Sequence, residues 1–367
     1  MSENQFIIRS VRTWAEHLEL TRPYTIAYKT VSSVENVFVQ IETGNGIWGI
    51  GAGSPAAFVT GETNEMCRTA LQNHAERLLP GKDVRHLRQL CRAIEREMPD
   101  TPAAQCAIDA ALHDAFAKHL DLPLVDLLGR AHRALPTSIT IGIKDTLTET
   151  LEEADEYLGR GFKSIKLKIG KDVDQDIETT VKLHERIGKK MRIRVDANQG
   201  YSPADLQKYY RATQHLNLEL IEQPVKKEHP EQMLYVSEEI RKTCAGDESV
   251  QRPADALKFA ASPLPFGIYN IKLMKCGGIY PAMQIAEIAR LAGIDLMWGC
   301  MDESIISISA ALHAALASPA TRYLDLDGSL DLARDIVTGG FILKDGYLSV
   351  SDAPGLGVKK GGRFNFT

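Results

Sequence analysis

From Phe6 to His17 and again from Val37 to Glu42, apolar and polar side chains alternate with the period of a half-buried strand. The second run leads into Asn45-Gly46, a strong signal for a hairpin turn, and Ile47–Gly51 reads as the returning strand. From Glu65 the apolar spacing becomes helical through Cys67, Ala70, Leu71, His74 and Leu78, and again across Leu87–Glu97. A helix of small residues follows over Ala103–Asp114. An antiparallel sheet followed by helices predicts an α+β unit.

After about residue 135 the rhythm changes. Short β-branched runs alternate with amphipathic helices: Ile139–Ile143, Ser164–Ile169, Arg192–Val195, Glu219–Glu222, Thr243–Asp247, Ile268–Leu273, Leu296–Trp298 and Tyr323–Asp327. Strands separated by helices predict parallel βαβ units, and eight of them predict a closed barrel. Polar residues at the strand ends keep the same beat. Asp196 to Glu222 is 26 residues, Glu222 to Asp247 is 25, and Asp247 to Lys272 is 25. A barrel of about 250 residues over eight units has about that spacing. The tail from Phe341 to Thr367 reads as a β-rich return onto the first unit.

Bulk properties narrow the function classes. A chain of 367 residues exceeds what one core usually carries, which fits a large barrel with additions. The net charge of −5, with Lys and Arg dispersed, argues against nucleic acid or an anionic membrane as partner. Six cysteines show no CxxC or Cys/His spacing, so neither a zinc site nor a disulfide framework is expected. No run approaches the roughly 18 apolar residues of a membrane span, and the start MSENQFIIRS lacks the marks of a signal peptide. A reducing cytoplasm is the expected location.

The chemistry begins at SIKLKIG. Strand alternation places Ile165, Leu167 and Ile169 on one face and Lys166 and Lys168 on the other, towards the barrel interior. Residues i and i+2 lie about 7 Å apart on a strand. Two charges at that distance repel by roughly 2.4 kcal/mol at an effective dielectric of about 20. That repulsion moves one lysine towards neutrality, where it can serve as a base. The next strands end in Asp196-Ala197-Asn198, Glu222-Gln223-Pro224 and Asp247-Glu248-Ser249. Three carboxylates converging on one rim repel each other unless a hard divalent cation sits among them. Mg²⁺ is favoured, because it leaves positions open for substrate oxygens. Lys272, on the sixth strand, then faces Lys168 across the barrel. A carboxylate substrate on the metal would have its α-carbon between two amines, one to remove the proton and one to return it. At the end of the eighth strand, Asp325 and Asp327 share one face and form a candidate pocket for a cation, most simply an α-ammonium group.

The series KLK, DAN, EQP, GDES and NIK resembles the muconate-lactonizing-enzyme subgroup of the enolase superfamily, as does AAQCAIDAALHDAF followed by LPLVDLLGR. That resemblance implies a (β/α)7β modified TIM barrel with an N-terminal α+β capping domain. The expected division is a capping domain over 1–132, a barrel over 133–340 and a C-terminal return over 341–367. An aspartate pair at the end of the eighth strand resembles dipeptide epimerases such as L-Ala-D/L-Glu epimerase. By that resemblance Asp196, Glu222 and Asp247 would hold one Mg²⁺, and Lys168 and Lys272 would be the acid/base pair. Lys166 would tune Lys168, Asp325 and Asp327 would grip the substrate's ammonium group, and Asn198 would touch substrate. Lys29 stands near the place of an arginine that meets the distal carboxylate in glutamate-selective members, without the bidentate fork. Asp302 replaces a usually apolar residue, and could favour a cationic or polar side chain or pair with Lys29. The expected activity is Mg²⁺-dependent epimerisation of a dipeptide at the α-carbon of its C-terminal residue, by a homo-oligomer.

Related chemistries are weighed by their residues. A sugar-acid dehydratase needs a histidine near the end of the seventh strand, where this chain reads Trp298-Gly299-Cys300-Met301-Asp302. His113, His184 and His313 sit in helical patterns and are expected to be structural. Muconate cycloisomerase and o-succinylbenzoate synthase share the lysines, but their substrates give the aspartate pair no partner. N-acylamino acid racemisation uses the same proton chemistry and is the nearest alternative. A non-catalytic scaffold has no reason to gather so many ionisable groups at one point.

Overall fold

The computed structural model describes residues 3–26 and 29–361, with the side chains of residue 3, 23–26 and 29–31 outside the description. Strands β1 (Ile8–Ile26), β2 (Lys29–Thr43) and β3 (Trp48–Gly53) form an antiparallel sheet in that order. The first hairpin is longer than the alternation predicts. Its ladder runs from Ile8↔Thr43 to Ile26↔Lys29, with an irregularity between Glu19 and Tyr24. Many of the added positions are polar, so backbone pairing extends the strands where no apolar alternation marks them.

This sheet packs on the helix Pro102–His119, and glycine makes the fit possible. A Cβ at Gly49, Gly51 or Gly53 would come within 2.1, 2.0 or 2.3 Å of the carbonyl oxygens of Ala111, Ala107 and Ala103. Two residues of strand span about 6.6 Å and four residues of helix about 6 Å, so the two ridges stay in step. Helices Asn64–Leu78 and Leu87–Glu97 complete this N-terminal unit.

After the short β4 (Ala134–Pro136), eight parallel strands follow. They are β5 (Ser138–Ile141), β6 (Ser164–Lys168), β7 (Arg192–Asp196), β8 (Ile221–Glu222), β9 (Cys244–Gly246), β10 (Ile268–Ile271), β11 (Asp295–Trp298) and β12 (Thr321–Leu324). They pair in chain order from β5 to β12, and a parallel bridge between Thr137 and Leu324 brings the last strand back to the first. Helices cross between successive strands, ending with Ile305–Ala317 between β11 and β12. The result is the expected (β/α)7β barrel beneath a capping unit. Outward residues such as Ile165, Leu167, Ile193 and Val195 are buried in the main core. A separate apolar cluster of Leu220, Ala245, Ile268 and Met297 has Tyr323 packed against it.

The chain then returns through β13 (Val337–Gly339), β14 (Ile342–Lys344), β15 (Tyr347–Ser349) and β16 (Val358–Lys360). β15 pairs with both β14 and β4, and β13 pairs with β16. Gly355 exchanges backbone hydrogen bonds with Leu122 and Leu124, and the Leu356 N–H donates to Asp114 Oδ1 at 2.8 Å. Among the described residues no helix is long and apolar enough to cross a membrane.

Candidate active site

The chemistry-bearing residues gather at the C-terminal ends of the barrel strands. Lys168, Asp196 and Glu222 are the last residues of β6, β7 and β8, and they sit opposite one another in register. Asp247 and Lys272 follow β9 and β10 directly, and Asp325 and Asp327 follow β12. The sequence pattern had put these four inside the strands. The ladder ends sooner because the chain departs into loops there, while extended backbone persists at Lys272 (φ −122°, ψ 127°) and keeps the alternation of facing.

Each of the two opposed lysines rests on its own carboxylate. Lys168 Nζ donates to Asp196 Oδ2 at 2.6 Å and to Asn198 Oδ1 at 2.9 Å. Lys272 Nζ donates to Asp247 Oδ2 at 2.7 Å. β6 and β10 stand four places apart in the eight-stranded order, so these amines approach the rim from opposite sides. Burial works against the Lys272 ammonium, but Asp247 and then Glu222 outweigh it and raise its pKa. Lys272 is buried, whereas the Lys168 side chain is 28% exposed.

Lys166, expected to tune Lys168, has a carboxylate partner of its own. It is buried below Lys168 and forms a short ion pair with Asp325, with Glu222 Oε2 3.7 Å away. Burial opposes its charge, yet Asp325, Glu222 and Asp196 together hold its pKa well above the usual lysine value. The picture of two bare lysines repelling each other is therefore corrected: each is matched by a carboxylate. Asp325 in turn accepts from Ser138 Oγ at 2.5 Å, and despite burial Lys166 lowers its pKa. Asp327 accepts from the Thr140 N–H at 2.8 Å, and burial followed by Asp325 pushes its carboxyl up to about 6. Of the aspartate pair, Asp325 is sealed into the barrel wall and Asp327 is the half-buried member.

Asp302 is also half-buried, in the loop after β11. Its backbone carbonyl accepts from Ser54 Oγ at 2.8 Å and from Asn36 Nδ2 at 3.4 Å, which joins the capping sheet to the barrel rim. The Lys29 side chain lies outside the described residues. Glu303 is buried, with its carboxyl accepting from the Met301 N–H at 2.7 Å and pushed up to about 7, chiefly by burial.

The triad Asp196, Glu222 and Asp247 has the character of a cation site. Glu222 Oε1 accepts from Asn270 Nδ2 at 2.7 Å, but buried Oε2 has no hydrogen-bond partner among the described residues. Burial first, and Asp196 second, push the Glu222 carboxyl up to about 8. A buried carboxylate short of a partner and beside two others is what a divalent cation relieves, and an all-oxygen donor set suits Mg²⁺. The oxygens of the triad do not all lie within 4.8 Å of one another, and lysines stand against two of its members. The triad fits the metal. Cys91, Asp109 and His113 do form such a compact buried group, but Asp109 is already engaged by the Ile279 and Tyr280 N–H groups, at 2.6 and 3.3 Å.

Sequence reasoning overlooked several contributors. Lys275 is fully buried and donates to Asp247 Oδ1 at 2.5 Å and to the carbonyls of Asp247, Asn270 and Val250. With Lys272 it holds the Asp247 carboxyl well below the usual range against the effect of burial. A lysine four residues after a strand is usually solvated, so nothing in the pattern marked it. Asn270 was readable, because alternation places it on the inner face with Lys272. Arg194 was equally readable. It is buried two residues before Asp196 and donates to Leu324 O at 2.6 Å and Glu219 at 2.7 Å.

Comparison with known proteins finds relatives along nearly the whole chain. Residues 8–129 match the family Mandelate racemase / muconate lactonizing enzyme, N-terminal domain, and residues 149–360 match Enolase C-terminal domain-like. The chain is 57% identical over 353 residues to the L-Lys-D/L-Arg epimerase of Desulforapulum autotrophicum, covering 96% of this chain and 99% of that one. It is 52% identical over 351 residues to the L-Lys-D/L-Arg epimerase of Methylococcus capsulatus, covering 96% and 98%. A crystal structure of the dipeptide epimerase from Methylococcus capsulatus, complexed with Mg and the dipeptide L-Arg-D-Lys, superposes with a TM-score of 0.94 at 52% identity, over 96% of this chain and 99% of that one.

Proposed function

The chain belongs to the mandelate racemase and muconate lactonizing enzyme family of the enolase superfamily, and from that premise we propose that it is a Mg²⁺-dependent dipeptide epimerase selective for cationic dipeptides. The observation that carries the reaction is the placement of Lys168 and Lys272 on opposite sides of a rim lined by Asp196, Glu222 and Asp247. The cationic preference is supported by the two relatives named for lysine and arginine, and by the acidic Asp302 at the junction of cap and barrel.

Asp196, Glu222 and Asp247 would hold the metal. When bound, Mg²⁺ supplies positive charge to a substrate carboxylate, which acidifies the neighbouring α-hydrogen. The protein's own groups do the rest. Asp327 pairs with the substrate's ammonium group and so fixes the dipeptide's direction across the rim. The lysine on one face removes the α-proton, and the ammonium on the other face returns one, which inverts the carbon. The opposite epimer reverses the roles of Lys168 and Lys272. Asp325 and Lys166, paired beneath, keep the floor of the site neutral without touching substrate.

The test is exchange of the α-hydrogen in D₂O with Mg²⁺, read by mass spectrometry across a dipeptide library that includes Lys- and Arg-containing and Ala-Glu members. Exchange at the C-terminal residue, fastest with cationic dipeptides and abolished in Lys168→Ala and Lys272→Ala for opposite epimers, is the expected result. Exchange of N-succinylamino acids with none in any dipeptide would sink the assignment.

A further inference from the structure

Glu248 follows Asp247 and belongs neither to the carboxylate triad nor to the direct partners of Lys168 and Lys272. It is buried, and its Oε1 receives two amides from the loop after β7: Gln199 Nε2 at 3.3 Å and Asn198 Nδ2 at 3.5 Å. Both residues sit in left-handed backbone, Asn198 at φ +40° and Gln199 at φ +71°. Two successive non-glycine residues there carry a conformational cost that surrounding contacts must offset. The contacts present do so in a directed way. The Asn198 N–H donates to Asp196 Oδ1 at 2.9 Å and the Gln199 N–H to Gln223 O at 2.7 Å. Gln199 Oε1 accepts the Lys227 N–H at 3.0 Å, so its Nε2 is the end turned to Glu248.

The same logic fixes Asn198. Its Nδ2 faces a carboxylate and its Oδ1 faces the Lys168 ammonium at 2.9 Å. A flipped amide would set oxygen against carboxylate and NH₂ against ammonium, losing both bonds. Lys272 has no comparable amide among the contacts described for it; its hydrogen bond goes to Asp247. The two proton-transfer faces are therefore built differently.

We propose that Glu248 is a positioning residue for Lys168, acting through Asn198. Glu248 holds the Asn198 amide in one orientation, the amide oxygen aims the Lys168 amine, and one face of the reaction depends on this relay while the other does not. The inference rests on the epimerase reading, and the experiment separates the two. α-Hydrogen exchange in D₂O is measured for each pure epimer of a Lys-Arg dipeptide with wild type, Glu248→Ala, Glu248→Gln, Asn198→Ala and the double variant Glu248→Ala/Asn198→Ala. Lys168→Ala identifies the epimer that depends on Lys168, and calorimetric Mg²⁺ titration of each variant reports the metal site.

Glu248→Ala is expected to slow exchange of the Lys168-dependent epimer at least tenfold and the other epimer less than threefold, with Mg²⁺ affinity within threefold of wild type. Glu248→Gln keeps an acceptor and recovers most of the loss. The double variant is no slower than Asn198→Ala alone, as residues acting in one relay are not additive. Equal slowing of both epimers, weakened Mg²⁺ binding, or an additive double variant overturns the relay. No exchange in wild type with either epimer would instead overturn the epimerase reading. If Glu248→Ala does not fold, Glu248→Gln against Asn198→Ala still decides: a Gln variant as slow as Asn198→Ala on the Lys168-dependent epimer rejects the idea.

Discussion

Asp325 and Asp327 are two residues apart and identical in kind, yet the fold gives them opposite electrostatics. Lys166 holds Asp325 ionised, while Asp327, half-buried beside that charge, has its carboxyl pushed up to about 6. If Asp327 binds the substrate's ammonium group, it must be ionised to do so. Below pH 6 the unliganded group becomes protonated and the attraction is lost. kcat/KM for a dipeptide is therefore expected to fall below about pH 6, and Asp327→Asn to lower it about a hundredfold at neutral pH, in line with removing one partner of a desolvated charge pair. In Asp327→Asn the acid limb should vanish; a limb that persists unchanged assigns it to another group, Glu303 being the nearest in pKa. This difference between the aspartates was hidden in the sequence. Alternation gives the face on which Lys166 and Asp325 lie, but their pairing joins residues 159 positions apart, and only barrel closure determines it. The facing of Lys166, Lys168 and Lys272 was legible because period-two alternation survives in any strand. Which carboxylate each would meet was not.

At the scale of elements, the barrel was legible because parallel strands buried by helices leave short apolar runs at regular intervals. The edges were less so. β8 holds only Ile221–Glu222 of the expected Glu219–Glu222, and β12 ends at Leu324 before the aspartates, because a ladder needs a paired neighbour that the residue pattern alone does not supply. The contact between β3 and the helix Pro102–His119 was present as two unconnected hints, a glycine-rich strand and an alanine-rich helix. Their match depends on register between elements, which one-dimensional periodicity does not contain. It makes a sharp prediction. At Gly51 an added methyl would lie 2.0 Å from Ala107 O, so strand and helix must separate. Gly51→Ala is expected to cost about 1–3 kcal/mol, as overpacked cores do, and to lower the melting temperature by several degrees. Gly159→Ala is the matched control. It lies at the exposed end of the helix Leu147–Gly159 with nothing within 4 Å of its Cβ position, and it should be neutral or mildly stabilising. Equal losses in the two variants would remove the close-approach explanation.

Across the whole molecule, chain segments far apart in sequence meet on a few buried polar groups. Asp114 accepts the Ile50 N–H at 2.9 Å, the Leu356 N–H at 2.8 Å and Lys118 Nζ at 2.7 Å, which joins the capping sheet to the C-terminal return. Nearby, the Val125 N–H donates to His313 Nδ1 at 2.9 Å, from the end of the capping unit to the last barrel helix. A backbone N–H can only donate, so this nitrogen must be unprotonated, and the bond is lost when the ring takes a second proton. Burial, the leading cause, lowers the His313 pKa from 6.5 to about 4. A group whose folded pKa is depressed contributes fully above its unfolded pKa and loses that contribution as pH falls. Between pH 6.5 and 4 the unfolded ring gains its proton while the folded one resists, so about 3 kcal/mol of stability should drain away in that window. His113 runs the other way. Its pKa is raised because Asp109 outweighs burial, so its contribution is complete below pH 6.5 and is lost as pH rises through the folded value. Gln at 313 can still accept from the Val125 N–H but does not titrate. Urea titrations at pH 7 and pH 4.5 should therefore show His313→Gln losing about 2 kcal/mol less than wild type between the two pH values. An equal loss in both proteins would mean that acid sensitivity arises elsewhere, in the carboxylates of the rim, and that the joint between cap and barrel does not respond to pH.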